Sequence, residues 1–217
     1  MKIEELILYS NNLGNQLEFY TQILGFEIEK KSLKSFSVRL GESLLTFIFK
    51  EDCKPYHFAF NISINKELEA LNWLKQRVEI LSLEDNEIIE FNNWNASALY
   101  FYDADNNIVE FISRKNLEEK SEDAFSSKSI LNISEIGIGT KNIEIIYNQL
   151  NSLKNINIYD GNFNRFCALG NEEGLFILVN KNIKNWFPTN DKVYQSDFII
   201  KGDYNFEFKN GKIIEIT

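Results

Sequence analysis

Hydrophobic and polar residues alternate along this chain in two rhythms, one of strands and one of helices. Residues 3–9 alternate with period two: Glu5, Ile7 and Tyr9 share one face, Leu6 and Leu8 the other. Ser10, Asn11 and Asn12 then stop the strand and offer a helix N-cap. Leu13, Leu17, Tyr20 and Leu24 repeat at helical spacing, with Phe19 and Ile23 widening the stripe, and Gly25 supplies the C-terminal stop. Strands are predicted at 26–31, 35–40 and 44–50, with Gly41 turning between the last two. The unit is β-α-β-β-β.

The unit recurs. A strand at 57–62 follows Pro55, and Leu68, Leu71, Trp73 and Leu74 mark an amphipathic helix over 66–77. A short strand at 78–83 and strands at 98–102 and 108–113 complete it. The last two form a hairpin, because residues 103–107 supply Asp and Asn that tolerate left-handed backbone. On its second strand Val109, Phe111 and Ser113 share one face, and Ile108, Glu110, Ile112 and Arg114 the other. A carboxylate and a guanidinium therefore stand among isoleucines, a pattern that needs a chemical reason. Residues 116–130 are charged and Ser-rich and read as a linker. Beyond them SEIGIGTKNIEIIYNQL lies over EELILYSNNLGNQLEFY at an offset of about 130 residues, which places Glu135 on Glu5. RFCALGNEEGLFILVNK likewise resembles FSVRLGESLLTFIFK. Strands at 197–201, 204–209 and 212–216, the last pair joined by Asn210-Gly211, form a fourth copy without a helix.

Composition narrows the function classes. A net charge of −9 argues against a nucleic-acid backbone or an anionic membrane as partner. No apolar run approaches a membrane span, and residues 1–12 lack a cleavable leader pattern, so a cytoplasmic protein is expected. Cys53 and Cys167, far apart and without neighbouring ligands, are expected as reduced thiols rather than zinc ligands.

The paired modules, the LEFYTQILGFEI segment, YHFAFNI opening the second module and DADNNIVEF closing it resemble the vicinal oxygen chelate superfamily. That superfamily includes glyoxalase I, extradiol ring-cleaving dioxygenases and bleomycin-resistance proteins. The resemblance covers residues 1–115 well, 131–181 less, and little beyond. It implies an α+β fold of repeated modules forming cup-shaped mixed sheets. Residues 1–115 would make a complete two-module domain and cup, 116–130 a linker, and 131–217 a degenerate second half packed against it.

In metal-dependent members each pair of modules makes a cup whose floor holds a divalent ion. The resemblance places those ligand positions on Glu5, His57 and Glu110, with Thr46 where glyoxalases have a carboxylate. The family's first-strand residue is usually His, and Glu5 stands in its place. One imidazole and two carboxylates suit Mn, Fe, Zn or Mg and shift the preference toward harder ions. Two carboxylates close together in a cup with little water need a cation, or one must hold a proton. Arg39 or Arg114 could otherwise pair with one of them.

The reading is a metal-dependent enzyme of the glyoxalase or dioxygenase type acting on a small oxygenated molecule. Glu110 and Tyr102 are its candidate catalytic groups. The alternative is a non-catalytic small-molecule-binding protein like the bleomycin-resistance members; a third reading has the cup filled by side chains. In either small-molecule reading the protein is a monomer or homodimer. The plainer roles stand beside these: His57, the single histidine, as a structural residue, Glu110 paired with Arg114, and Tyr9, Tyr100 and Tyr102 as cross-strand packing. Glu135 repeats Glu5, but no histidine follows it, so a second metal site in the C-terminal half is not expected.

Overall fold

The structure, a computed structural model, describes residues 1–216. Four modules follow one another. The first holds β1 (Ile3–Ser10), α1 (Leu13–Glu18), β2 (Ile28–Lys31), β3 (Ser35–Leu40) and β4 (Ser43–Phe49). The second holds β5 (His57–Ile62), α2 (Glu67–Lys75), β6 (Ile89–Phe91), β7 (Ala96–Tyr102) and β8 (Ile108–Arg114). The third holds β9 (Ile130–Thr140), α3 (Ile143–Leu153), β10 (Ile158–Asn162), β11 (Phe166–Asn171) and β12 (Gly174–Asn180). The fourth keeps only β13 (Phe198–Gly202), β14 (Phe206–Lys209) and β15 (Lys212–Glu215). The α+β class and the helix-free last copy agree with the sequence pattern.

Two local differences have clear causes. After α1 the chain widens into a π-turn over Phe19–Ile23. Phe19 and Tyr20 are both buried in this turn. No regular strand forms at 78–83. The seven-residue edge of β7 is shared: β6 covers Ala96–Ala98, while Leu81 and Ile80 only touch the far half at Tyr100 and Phe101.

The pairing of modules differs from the sequence expectation. One sheet has the order β15-β14-β13-β1-β4-β3-β2, the other β10-β11-β12-β9-β5-β8-β7-β6. The first module therefore joins the fourth, and the second joins the third, each across an antiparallel seam, β1 with β13 and β5 with β9. The first two modules do not close one cup. The seams decide this, because they bury long apolar faces of β5 and β9 side by side and leave β1 to pair with the short last module.

Each strand contributes alternate residues to two environments. Leu6, Leu8, Phe47, Phe58, Phe60, Phe111, Ile136, Ile138, Phe176 and Phe206 point into one core shared by both sheets and the helices. At about 25 cal/mol per Å² of buried apolar area, this face dominates the stability. Residues 116–130 take part, since Phe125 packs edge-on against Trp73. The opposite face of the second sheet forms a separate cup holding Ala59, Tyr100, Ile108, Ile112, Ile177, Trp186 and Val193. Cys53 and Cys167 are free thiols. No helix among the described residues is long and apolar enough to cross a membrane.

A strap, residues 181–197, returns the chain from β12 to β13 over this cup. It fits because β9 presents Gly137 beneath Trp186 and Gly139 beneath the backbone of Tyr194. A methyl group on Gly139 would meet the Tyr194 carbonyl oxygen and come 2.7 Å from Val193 Cγ1. Gly139→Ala is therefore expected to lower the melting midpoint by roughly 5 °C. Gly14→Ala, in α1 with open space around it, should leave the midpoint unchanged or raise it. Equal melting curves for wild type and Gly139→Ala would show that the strap does not press on β9.

Candidate functional site

The floor of the cup is set by strand register. Ala59 on β5 lies opposite Glu110 on β8, which runs parallel, and opposite Glu135 on β9, which runs antiparallel. Glu110, Ala59 and Glu135 thus form one row across three adjacent strands. The alanine methyl leaves room between the two carboxylates, which lean toward each other over it. His57 lies two residues before Ala59 on the same face, so its ring joins them. One ligand atom from each of His57, Glu110 and Glu135 lies within 4.8 Å of the others, and all three residues are buried.

Burial governs the electrostatics. His57 Nδ1 lies 3.2 Å from the Ile108 carbonyl oxygen, which can only accept, so Nδ1 carries the hydrogen. The bare Nε2 faces Glu110 Oε2 at 3.4 Å. Desolvation pulls the imidazole down to about 4, so the ring is neutral at physiological pH. Burial raises Glu110 well above its ordinary range, and the neighbouring Glu135 adds to the effect. Tyr100, the cross-strand partner of Glu110, opposes it through its hydroxyl. Burial also raises Glu135, to about 7, against the pull of the Arg114 guanidinium.

Arg114 is wholly buried and donates to Glu135 through Nη2. Its Nη1 lies 3.4 Å from Glu172, its plane sits 5.4 Å from the Trp94 ring centroid, and its Nε has no partner among the described residues. Above the floor a cavity of about 590 Å³ opens, lined by aromatic side chains among which Trp186 covers His57 at 5.1 Å.

Of the sequence-predicted ligands, the structure brings His57 and Glu110 together and places Glu5 elsewhere. Glu5 lies in the other sheet, where Lys201 Nζ approaches it at 2.8 Å and the Thr46 hydroxyl donates at 2.8 Å. Partial burial pushes its carboxyl up, but these two donors outweigh that and leave it below the usual range. Glu135 takes the third position in the cup. The repeat already aligned Glu135 with Glu5; the pairing of modules was the piece the sequence did not display.

Tyr102, the candidate catalytic tyrosine of the sequence, lies on the same strand as Tyr100, two residues on. Its hydroxyl donates to Asp191 of the strap at 2.5 Å, outside the cavity lining, whereas Tyr100 faces Glu110.

Register also identifies the position that carries no donor. Within the second sheet His57 corresponds to Glu135 and Ala59 to Gly137, so Glu110 corresponds to Ile177. The cup offers three donors and an isoleucine where a fourth would stand. The first sheet repeats the frame with Glu5, Thr46 and Ile199 at the same places; there β14 takes the place beside β13 that β8 takes beside β5, but it runs antiparallel and sets Glu207 beside Ile199.

No protein-family model matches the chain, and no curated protein matches its sequence. Its backbone does match solved structures. A proposed dioxygenase from Bacillus subtilis superposes with a TM-score of 0.62 at 12% identity, covering 83% of this chain and 64% of that one. The chain has the vicinal oxygen chelate fold. A mutant glyoxalase I from Zea mays shares the vicinal oxygen chelate fold with it at a TM-score of 0.52 and 12% identity, over 82% of this chain and 66% of that one. The chain spans just under two-thirds of each of these proteins. At such identities the likeness fixes the fold, and the chemistry has to come from the cup itself.

The donor set suits a divalent ion. It combines a neutral imidazole whose free nitrogen points inward, its tautomer fixed by a carbonyl behind it, with two carboxylates in excess of the one nearby guanidinium.

The metal-free cup has a measurable pH signature. The unfolded chain releases the Glu135 proton near 4.5 and the folded chain near 7, so this group's contribution to stability falls as pH rises between them. Glu135→Gln abolishes that linkage. In EDTA, the stability of wild type relative to Glu135→Gln should drop by about 2 kcal/mol from pH 5 to pH 8 in denaturant melts. A difference that stays flat or grows with pH would mean that Glu135 is ionised throughout.

Proposed function

We propose that the cup is the active site of a metal-dependent enzyme of the glyoxalase or dioxygenase kind, acting on a small oxygenated molecule. The single observation that carries this reading is the convergence of His57, Glu110 and Glu135 on one point in an aromatic-walled cavity. A divalent ion held by these three would polarise adjacent carbonyl or hydroxyl oxygens and stabilise negative charge developing on them. Three donors rather than four leave positions for ligand oxygens.

The chain's own groups supply the rest. Trp186 and the surrounding rings exclude water, which strengthens every polar contact inside. The Tyr100 hydroxyl, kept protonated by burial and by Glu110, is a hydrogen-bond donor to an oxygen bound beside that carboxylate. Glu135, raised by burial to about 7, can exchange a proton with a bound molecule at neutral pH, while Glu110, raised further, holds its proton in the metal-free cup. Glu5 has no part in this site.

One observation favours the alternative, a non-catalytic small-molecule-binding protein. Arg114 already neutralises Glu135, and a proton on Glu110 balances the remaining charge, so the cup is electrically complete without an ion. Elemental analysis of protein purified without chelator separates the two. We expect roughly one equivalent of a divalent metal, lost by at least about tenfold in affinity on His57→Ala or Glu110→Ala and retained on Glu5→Ala. Metal-free wild-type protein that gains none on titration would favour the binding reading instead. Metal lost on Glu5→Ala alone would overturn the assignment of the site.

A further inference from the structure

The cavity wall carries more information than the metal-binding floor. Phe91, Trp94, Tyr100, Phe166, Trp186 and Phe187 surround it. Trp94 stacks on Phe166 at 6.3 Å, and Phe187 meets Phe91 and Tyr100 edge-on at 5.8 and 5.9 Å. Such walls favour a flat apolar body.

The charged groups of the lining fall into two classes. Every carboxylate is engaged. Glu90 accepts from the Ser97 hydroxyl at 2.9 Å, Asp160 from Trp94 Nε1 at 2.6 Å and from the Gly161 N–H at 2.7 Å, and Glu135 from Arg114. Glu110 is occupied by His57 and Tyr100. The two cations that line the cavity, Arg165 and Lys184, have no ion-pair or side-chain hydrogen-bond partner among the described residues.

These cations are nevertheless placed together. Arg165 lies in the β10–β11 turn and Lys184 at the start of the strap, and Asn180 ties the two segments. Its N–H donates to the Arg165 carbonyl at 3.1 Å, its own carbonyl accepts from the Lys184 N–H at 3.1 Å, and its side chain donates to the Asn164 carbonyl at 3.2 Å. Lys184 Nζ lies 5.9 Å from the Phe166 ring centroid, against the aromatic wall. Burial and the nearby Arg165 both push its amine below the usual range. Two like charges near each other, Lys184 partly withdrawn from water and Arg165 exposed at the rim, without an ion-pair partner among the described residues, leave the complementary group to the ligand.

We propose that the cavity binds a planar aromatic carboxylate, its ring between the Trp94–Phe166 and Phe91–Phe187 walls and its carboxylate on Arg165 and Lys184. The planar guanidinium matches a carboxylate in two hydrogen bonds, and the ammonium adds a point charge. The inner end of such a molecule faces His57, Glu110 and Glu135. That orientation rests on the cup being the ligand site proposed above, whereas the preference for an anion needs no metal.

Calorimetric titration in EDTA tests the preference by itself. The probes are naphthalene-2-carboxylate and its neutral counterpart naphthalene-2-methanol, on wild type and on the Arg165→Gln/Lys184→Gln double variant. Wild type is expected to bind the carboxylate about tenfold tighter than the alcohol or better, and the double variant to bind both alike. Equal affinities in wild type, a double variant that keeps the preference, or no saturable binding of either probe would each overturn the proposal. His57→Ala, which tests the metal reading, should keep the carboxylate preference; its loss there counts against the assignment to Arg165 and Lys184. The double variant should in turn still take up one divalent equivalent, so the two readings fail separately.

Discussion

Glu110 and Glu135 lean toward each other across the methyl of Ala59 in a cup shielded from water, and they cannot both be ionised there without a cation. The rest of the site follows from this constraint. Arg114 is buried beside Glu135 and covers one charge. The second must be met by a proton or by a metal, and the neutral Nε2 of His57 stands ready for either. Burying an ion costs several kcal/mol after relaxation, so this arrangement weakens the fold locally. The apolar face on the other side of the same strands, with Phe58, Phe60, Phe111 and Ile136 fully buried, offsets it. A cluster kept at such a cost at the base of a cavity marks a candidate functional site.

The first sheet shows what the same frame does when the constraint is relieved. Glu5 occupies on β1 the position that Glu135 occupies on β9, and Lys201 stands opposite it where Ala59 stands opposite Glu135. The ammonium fills the place that the alanine leaves open. One carboxylate falls below its usual range and the other rises to about 7, although their backbone positions correspond. On the neighbouring strand, Lys201 in place of Ala59 and Ile199 in place of His57 separate an ion pair from a candidate metal centre. The strand beside β13 completes the difference, since β14 runs antiparallel where β8 runs parallel to β5 and sets its Glu207 beside Ile199 rather than beside Lys201.

The parts of this arrangement written in local periodicity were legible in the sequence. The four modules, the missing last helix and the inward face of Ile108, Glu110, Ile112 and Arg114 all follow from periods of two and 3.6. The partners of each module were not, because a seam such as β5–β9 joins residues far apart in the chain and leaves no mark in either strand alone. That is why the sequence groups Glu5 with His57 and Glu110 and shows Glu135 only as the repeat of Glu5. The relative depth of Tyr102 and Tyr100 is hidden from the sequence for a related reason. Both point into the cup, and only the path of the strap, with Asp191 on Tyr102, decides which of them sits deep.

The strap itself is a consequence of the module pairing. Because the third module lies in one sheet and the fourth in the other, the chain must cross between them after β12. Its route runs over the cup, with Trp186 on His57, Lys184 in the cavity wall and Val193 against Gly139. The connection that lets the last module complete the first sheet therefore also roofs the site in the second. It needs two glycines on β9 to lie close enough, and Gly137 corresponds in register to Ala59, the small residue that separates the carboxylates. Small residues at corresponding positions of the two seam strands thus make room at two adjacent levels, Gly137 for the Trp186 ring and Ala59 for the acidic pair.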